Sequence, residues 1–358
     1  MRRATITGWG KCIPPAVVTN SDLEKLIDTS DDWITSRTGI KERRITHVET
    51  SDMAVVAGKH ALAAAGLDPA ELDSVIVATC TPERLIPSSA AFVQPRLGAV
   101  NAGVMDINAA CSGFVYGLTV ANALIAAGAE NKVLLIGSEK LSVLLDLKDR
   151  STAVLFGDGA GAVVLEATDG PEGVLSTNLG TDGTLTDILT ASGFGTEDDV
   201  PPDLDGKIYM DGREVFRNAV VEMGKAALKA VADAGLELSD VDLLVPHQAN
   251  ARIIDATARR VKLPAEKVYV NIASYGNTSA ASIPIALTEA LEQGRISPGD
   301  HIVFVAFGGG LTWAAAALRW GERTTAIGTS DARLPATDKT GVELLLERQE
   351  QRRTRRGG

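Results

Sequence analysis

The residues with the most distinctive chemistry are a cysteine and a histidine far apart in the chain. Cys111 lies in Asp106-Ile107-Asn108-Ala109-Ala110-Cys111-Ser112-Gly113, where a strand-like pattern gives way to a helical one. A helix N-terminus offers unpaired backbone N–H groups and a partial positive charge, which favours thiolate over thiol and suits a nucleophile. The competing reading is a small buried hydrophobe, and Cys12 and Cys80, which lack this setting, default to it. Of the four histidines, His47, His60 and His301 lie in polar or strand-edge contexts and read as surface residues. His247 instead follows a buried strand in Val245-Pro246-His247-Gln248-Ala249-Asn250, where loops of α/β folds carry chemistry, with a structural role as the less favoured alternative. A second polar stretch, Gly276-Asn277-Thr278-Ser279-Ala280-Ala281-Ser282, also comes after strand-like sequence. The glycines of Ala306-Phe307-Gly308-Gly309-Gly310 would let backbone N–H groups approach a reacting carbonyl oxygen, or else form a plain turn. Gly157-Asp158-Gly159-Ala160-Gly161 lacks phosphate-loop spacing and reads as structural.

These residues need a scaffold, and the alternation of helical and strand-like segments predicts an α/β architecture. The short apolar runs Val75–Ala78, Val133–Ile136, Ala162–Leu165, Leu243–Val245 and Ile302–Val305 predict strands buried on both faces. Ala65-Gly66-Leu67 and Asp73-Ser74-Val75 recur as Ala234-Gly235-Leu236 and Asp242-Leu243-Leu244 at an offset of 169 residues, and Val133 meets Ile302 in the same register. The chain therefore reads as a duplication, with an N-terminal half over 1–175 carrying the cysteine, a C-terminal half over 176–322 carrying His247 and Asn277, and a tail over 323–358. Gly113, Gly117 and Ala121 recur on one helical face, and Ser279–Ser282 crowds the start of the equivalent helix. Small faces of this kind predict that the two helices pack on each other at the pseudo-twofold axis.

The chain has 358 residues with 45% apolar and 23% charged side chains, enough for sizeable cores. A net charge of −11 works against nucleic acid and anionic membranes as partners. The longest apolar candidate, 120–129, is interrupted by Asn122 and Gly128 and falls short of a membrane span, and Met1-Arg2-Arg3 does not open a signal peptide, so the cytosol is expected. Three scattered cysteines supply neither a disulfide framework nor a metal motif.

Together the segments resemble the β-ketoacyl-acyl-carrier-protein synthase III family of the thiolase superfamily, the initiating condensing enzymes of type II fatty acid synthesis. The resemblance runs from about Thr5 to Trp320. It rests on Asp31-Asp32-Trp33-Ile34 with Arg37-Thr38-Gly39-Ile40, Ala109–Phe114, Phe156–Gly161, Pro246–Asn250, Gly276–Ser282 and Gly308–Gly310. It implies a duplicated five-layer αβαβα fold, a homodimer, and a catalytic set of Cys111, His247 and Asn277, with the N–H groups of Cys111 and Gly309 as oxyanion hole. By the same resemblance, Trp33 and Arg150 sandwich the adenine of coenzyme A and Arg37 and Arg252 lie near its phosphates, while Asn250 meets the pantetheine arm and Phe216 the tunnel mouth. The implied substrates are an acyl-CoA and malonyl acyl carrier protein, with no metal and no other cofactor. Arg252, Arg259 and Arg260, extended by Arg213 and Arg217, form the expected docking patch for the acidic carrier. Leu85-Ile86-Pro87 replaces an aromatic residue that some relatives carry at the acyl pocket, leaving primer choice open. The tail, with a short helix expected over 342–353 and Arg352, Arg353, Arg355 and Arg356 near its end, reads as a flexible solvated segment. Rival readings are a same-fold acyltransferase, a polyketide-pathway condensing enzyme, an inactive partner subunit and an α/β-hydrolase.

Overall fold

The structure is a computed structural model that describes residues 2–193, 195–201 and 204–356, with the side chains of 353–356 left out. Its strands are β1 (Arg3–Cys12), β2 (Ala16–Thr19), β3 (Glu42–Ile45), β4 (Ser74–Ala78), β5 (Gly103–Ile107), β6 (Lys132–Lys140), β7 (Asp158–Thr168), β8 (Gly173–Thr181), β9 (Leu189–Ala191), β10 (Ile208–Met210), β11 (Leu243–Pro246), β12 (His301–Gly308) and β13 (Thr312–Arg319). Its helices are α1 (Asn20–Leu23), α2 (Asp31–Thr38), α3 (Thr50–Ala65), α4 (Ser89–Leu97), α5 (Gly113–Ala126), α6 (Arg150–Ala153), α7 (Gly212–Asp233), α8 (Ala251–Arg260), α9 (Ile272–Tyr275), α10 (Ser282–Glu292) and α11 (Gly341–Arg356). All five expected apolar runs lie in strands.

Two sheets dominate. The first has the order β1-β7-β6-β4-β5 and the second β8-β13-β12-β11, so the inner strand pairs repeat, with β4 parallel to β6 and β11 parallel to β12. The counterpart of β5 is reduced to a single bridge, Leu244 to Val268. Strand alternation sorts the apolar residues. Val75, Val77, Leu134 and Ile136 face α3 and α4 on one side of the first sheet, while Ile76, Val133 and Leu135 face inward. In the second sheet Leu244, Val303 and Val305 face α7 and α8, and Leu243, Val245, Ile302 and Phe304 face inward. The inward faces share one core with Phe114, Val115 and Leu118 of α5 and Ile283, Ala286 and Leu287 of α10. The result is the five-layer αβαβα stack.

Three expectations need correction. The helices α5 and α10 meet at their opening turns, where Gly113 stands against Ala280, but Gly117 backs onto Leu135 of its own sheet. The missing side chains let α5 approach β6 closely, which is a different use of the same small residues. The division between halves falls before Gly173 and not at 175/176, because β8 already belongs to the second sheet. The tail is not a solvated thread. Residues 323–338 bond back to the first half through Ile327 N–H to Ala64 O at 3.0 Å and Gly328 N–H to Ala63 O at 3.1 Å. After this strap, α11 buries Leu344 and Leu345 against Val18, Ile45, Leu141, Leu144 and Leu145. The tail also changes the setting of two histidines: His60 Nε2 lies 3.0 Å from Ala332 O in the strap, and the ring nitrogens of His47 are buried. No helix among the described residues is long and apolar enough to cross a membrane.

Candidate active site

Between the layers a cavity of about 520 Å³ is lined by Cys111, His247, Asn277, Asn250 and Gly309, with Phe216 and Met210 on its outer wall. The nucleophile candidate sits on a forced turn. β5 ends at Ile107, a single turn of 3-10 helix spans Ala110–Ser112, and α5 proper starts at Gly113. Ala110 has φ +46°, and Ser279, its equivalent in the second half, has φ +49°. Left-handed backbone at non-glycine residues is costly, and its occurrence at both equivalent turns marks them as held in place by their surroundings. The β12–β13 turn does part of the holding. Thr312 Oγ1 donates to Ala109 O at 3.0 Å, and a Cβ on Gly308 would come within 2.7 Å of Cys111 N. Only glycine permits that approach. The Gly309 N–H has no backbone acceptor among the described residues, and the Cys111 N–H lies against its own sulfur.

Hydrogen bonds fix how the two donors present themselves. Ser282 Oγ accepts from Gln248 N–H at 3.3 Å and lies 2.7 Å from His247 Nδ1, and we assign its proton to that shorter contact. Nδ1 is therefore the acceptor, and Nε2 carries the hydrogen. Burial pushes the imidazole down to about 3, so it is neutral at ordinary pH. For Asn277, Oδ1 accepts from Ser279 N–H at 2.8 Å, which leaves the Nδ2 group as donor. Its backbone is clamped as well, with N–H donating to Leu155 O at 2.8 Å and C=O accepting from Gly157 N–H at 3.0 Å. The glycines of 157–161 thus serve packing, as their spacing suggests: Gly157 lies against Tyr275 O and Gly161 against Pro284 and Ile285.

One expectation about the sulfur is reversed. The helix-terminus argument favours a thiolate at Cys111, yet desolvation pushes the thiol up to about 12, and the charge of Glu139 adds to the rise against the opposing Ser279 hydrogen bond. Desolvation wins because the sulfur lies deep between the layers, one turn ahead of α5 proper. The resting group is a thiol.

Sequence reading missed the polar floor beneath it. Glu139, at the end of β6, is fully buried, and burial pushes its pKa above the usual carboxylate range. Thr81 Oγ1 donates to it at 2.6 Å, Thr79 Oγ1 at 3.1 Å, Ser279 Oγ at 2.9 Å and the Cys80 N–H at 3.1 Å. Every neighbour is a donor and none is a cation. Cys80, assigned above to ordinary packing, lines the cavity with its thiol 3.3 Å from Glu139 Oε1. The only sequence signal was a glutamate inside an apolar strand run. Cys12 does match its bland reading, being buried in the core under α3.

At the mouth, α2 and α8 lie side by side, and Trp33, Arg37, Arg150 and Arg252 gather there outside the cavity lining, to which Phe216 and Asn250 belong. Ser30 caps α2 through Trp33 N–H at 3.1 Å. The guanidinium of Arg150 stands 5.0 Å from the Trp33 ring centroid and that of Arg37 4.9 Å, so no open slot separates Trp33 from Arg150. A purine would have to displace Arg150, which is also held by Asp28 through its carbonyl at 3.0 Å and its carboxylate at 3.8 Å on the exposed surface. Arg252 stacks on Phe216 at 5.4 Å, and Asn250 caps α8 by accepting from Arg252 N–H at 2.9 Å. Arg213, Arg217, Arg252, Arg259 and Arg260 are all exposed on the neighbouring helices α7 and α8. Arg217 is paired with Glu214 at 2.6 Å, and the stem of Arg260 crosses Gly224.

The comparisons agree with this geometry. Residues 105–183 match the profile of 3-oxoacyl-[acyl-carrier-protein] synthase III, and residues 231–320 match that of its C-terminal part. The chain is 51% identical to beta-ketoacyl-[acyl-carrier-protein] synthase III 2 of Vibrio cholerae serotype O1, over 96% of this chain and 95% of that one. It is also 51% identical to beta-ketoacyl-[acyl-carrier-protein] synthase III of Roseiflexus sp. strain RS-1, covering 88% of this chain and 98% of that one. Among solved structures, 3-oxoacyl-[acyl-carrier-protein] synthase III from Aquifex aeolicus VF5 superposes with a TM-score of 0.84 at 48% identity, covering 88% of this chain and all of the other. The chain belongs to the β-ketoacyl-[acyl-carrier-protein] synthase III family of condensing acyltransferases.

Proposed function

We propose that Cys111 takes the acyl group of an acyl-CoA and that His247 and Asn277 then drive decarboxylative condensation with malonyl acyl carrier protein. In the first half-reaction the Cys111 sulfur attacks the thioester carbonyl, its proton leaves with the coenzyme A thiol, and the N–H groups of Cys111 and Gly309 receive the oxyanion. In the second, the malonyl thioester loses CO2, and the electron pair of the broken C–C bond develops as an enolate on the thioester oxygen. His247 Nε2–H and Asn277 Nδ2–H donate to that oxygen. The carbon then attacks acyl-Cys111 and expels the sulfur as thiolate, which takes a proton from water to regenerate the thiol, giving 3-oxoacyl carrier protein. The chemistry calls for neither a metal nor a redox cofactor.

The observation that carries this reading is the pair of uncommitted neutral donors sharing one cavity with the thiol. A histidine held unprotonated stabilises an enolate by hydrogen bonding without needing a carboxylate partner. Around this site we assign Trp33, Arg37, Arg150, Phe216, Asn250 and Arg252 to coenzyme A and the five exposed arginines of α7 and α8 to the carrier protein. We also assign a homodimer, formed along the edge strand β5, where Val104 and Met105 are exposed; Leu85 and Ile86, between β4 and α4, are exposed as well. The setting is the cytosol, with no nucleic-acid or membrane partner. Incubation with acetyl-CoA and malonyl carrier protein should release CO2 and form the 3-oxoacyl product. Loading of Cys111 without CO2 would make the chain a simple acyltransferase, and no loading would make it an inactive subunit.

A further inference from the structure

The segment after Trp320 plays no part in the chemistry above, yet its helix packs behind the wall of the cavity. Thr340 and Glu343 start α11 with reciprocal bonds, Thr340 N–H to Glu343 Oε2 at 2.8 Å and Glu343 N–H to Thr340 Oγ1 at 3.2 Å. One face of the helix then meets residues 141–146. Leu344 and Leu345 pack in the same apolar cluster as Leu141, Leu144, Leu155 and Phe156, four residues that also line the cavity. Gln349 Nε2 donates to Leu145 O at 2.7 Å, and Arg352 Nη2 donates to Val143 O at 2.7 Å and Leu145 O at 2.6 Å. The next residue, Asp146, is largely buried and pairs with Lys207 at 2.8 Å, at the foot of β10, whose Ile208 and Met210 form another part of the wall. A few residues further on stands Arg150, over Trp33.

We propose that α11 is a brace that sets the width of the acyl cavity and the position of the Arg150 rim, with Gln349 and Arg352 as positioning residues that govern primer choice. The 141–149 segment is irregular apart from one 3-10 turn, and α11 supplies donors to its Val143 and Leu145 carbonyls. Release of that grip lets Leu141 and Leu144 withdraw, so longer acyl chains fit while short ones are held less firmly. The Roseiflexus relative aligns over nearly its full length yet leaves unmatched a share of this chain about as long as the segment after Trp320, whereas the Vibrio cholerae relative aligns over 96% of this chain. The fold is attainable without a matching segment, which points to a tuning role.

The inference rests on the cavity being the acyl site, and the test separates the two. Acyl loading of Cys111 is read by intact mass with acetyl-CoA, butyryl-CoA and octanoyl-CoA for three proteins: the full chain, a chain ending at Lys339, and Gln349→Ala/Arg352→Ala. In both altered proteins the preference for acetyl-CoA over octanoyl-CoA, as kcat/KM, should fall by about tenfold, mainly through KM, as expected for a change in pocket fit. Arg352→Lys should restore part of it, and Leu346→Ser on the outer face should change nothing. Failure of the full chain to load any acyl group would refute the active-site assignment itself. An unchanged chain-length profile in the double variant overturns the brace, whether or not the shortened chain folds.

Discussion

Replacement of Ser282 by alanine isolates the device that points the His247 proton into the cavity. The Ser282 hydroxyl holds Nδ1 as an acceptor at 2.7 Å while also serving Gln248 N–H. Without it, a buried Nδ1 loses a hydrogen bond of about 1 kcal/mol and is left unsatisfied, at a cost of roughly 1–3 kcal/mol. The alternative Nδ1–H tautomer escapes part of that cost but removes the donor from Nε2. A penalty of about 1–2 kcal/mol on the productive tautomer slows decarboxylation by roughly 5- to 30-fold. This is milder than the 10²- to 10³-fold loss that typically follows deletion of such a donor. Acetyl loading of Cys111, which does not use that donor, should stay within about twofold of the parent. The assay is a pair of rates on one preparation, acyl-enzyme formation by mass and CO2 release from malonyl carrier protein. Unchanged CO2 release, or loading that falls in step with it, would refute the tautomer argument.

Three further outcomes follow from the same structure. Alkylation of Cys111 by iodoacetamide should accelerate with pH by about tenfold per unit through pH 7–9 without levelling off, because a thiol pushed up to about 12 gains thiolate fraction steadily as protons become scarcer; a plateau near pH 7 would restore the helix-terminus thiolate. Gly308→Ala should abolish loading or lower the melting temperature, since the new Cβ would lie 2.7 Å from Cys111 N and 3.1 Å from Ser112 N, both backbone atoms; a variant with parental loading and melting would contradict the close approach. Glu139→Gln sets an amide NH2 against a ring of donors, so a stability loss of roughly 1–3 kcal/mol and slower loading are expected in denaturant titration and mass assay, and an unperturbed variant would mean that the floor is not tightly satisfied.

Much of the architecture was legible because it is periodic. Short β-rich apolar runs such as Val133–Ile136 read as strands buried on both faces, and the 169-residue register exposes the duplication in the sequence itself. The locations of Cys111 and His247 after strands were readable for the same reason, whereas Asn277 follows the short helix α9 and not the strand its preceding sequence suggested. What was not legible depends on distance in space. The acidity of Cys111 is governed by how far the sulfur sits from water, which helix-start logic does not contain. Glu139 becomes part of the site only when β6, the Thr79–Thr81 segment and Ser279 converge on it. The tail looked solvated because its charges dominate its composition, yet Gln349 and Arg352 spend their donors on carbonyls some two hundred residues earlier.

The central claim is that one sulfur carries the acyl group and two neutral donors elsewhere carry the decarboxylation. The measurement closest to it compares the half-reactions in His247→Ala/Asn277→Ala with those of the parent. The expected result is an acetyl group mapped to the Cys111 peptide at close to the parental extent, with CO2 release reduced on the order of 10²-fold or more. Acetyl mapped to any other residue in the parent, or CO2 release that survives loss of both donors, would contradict it.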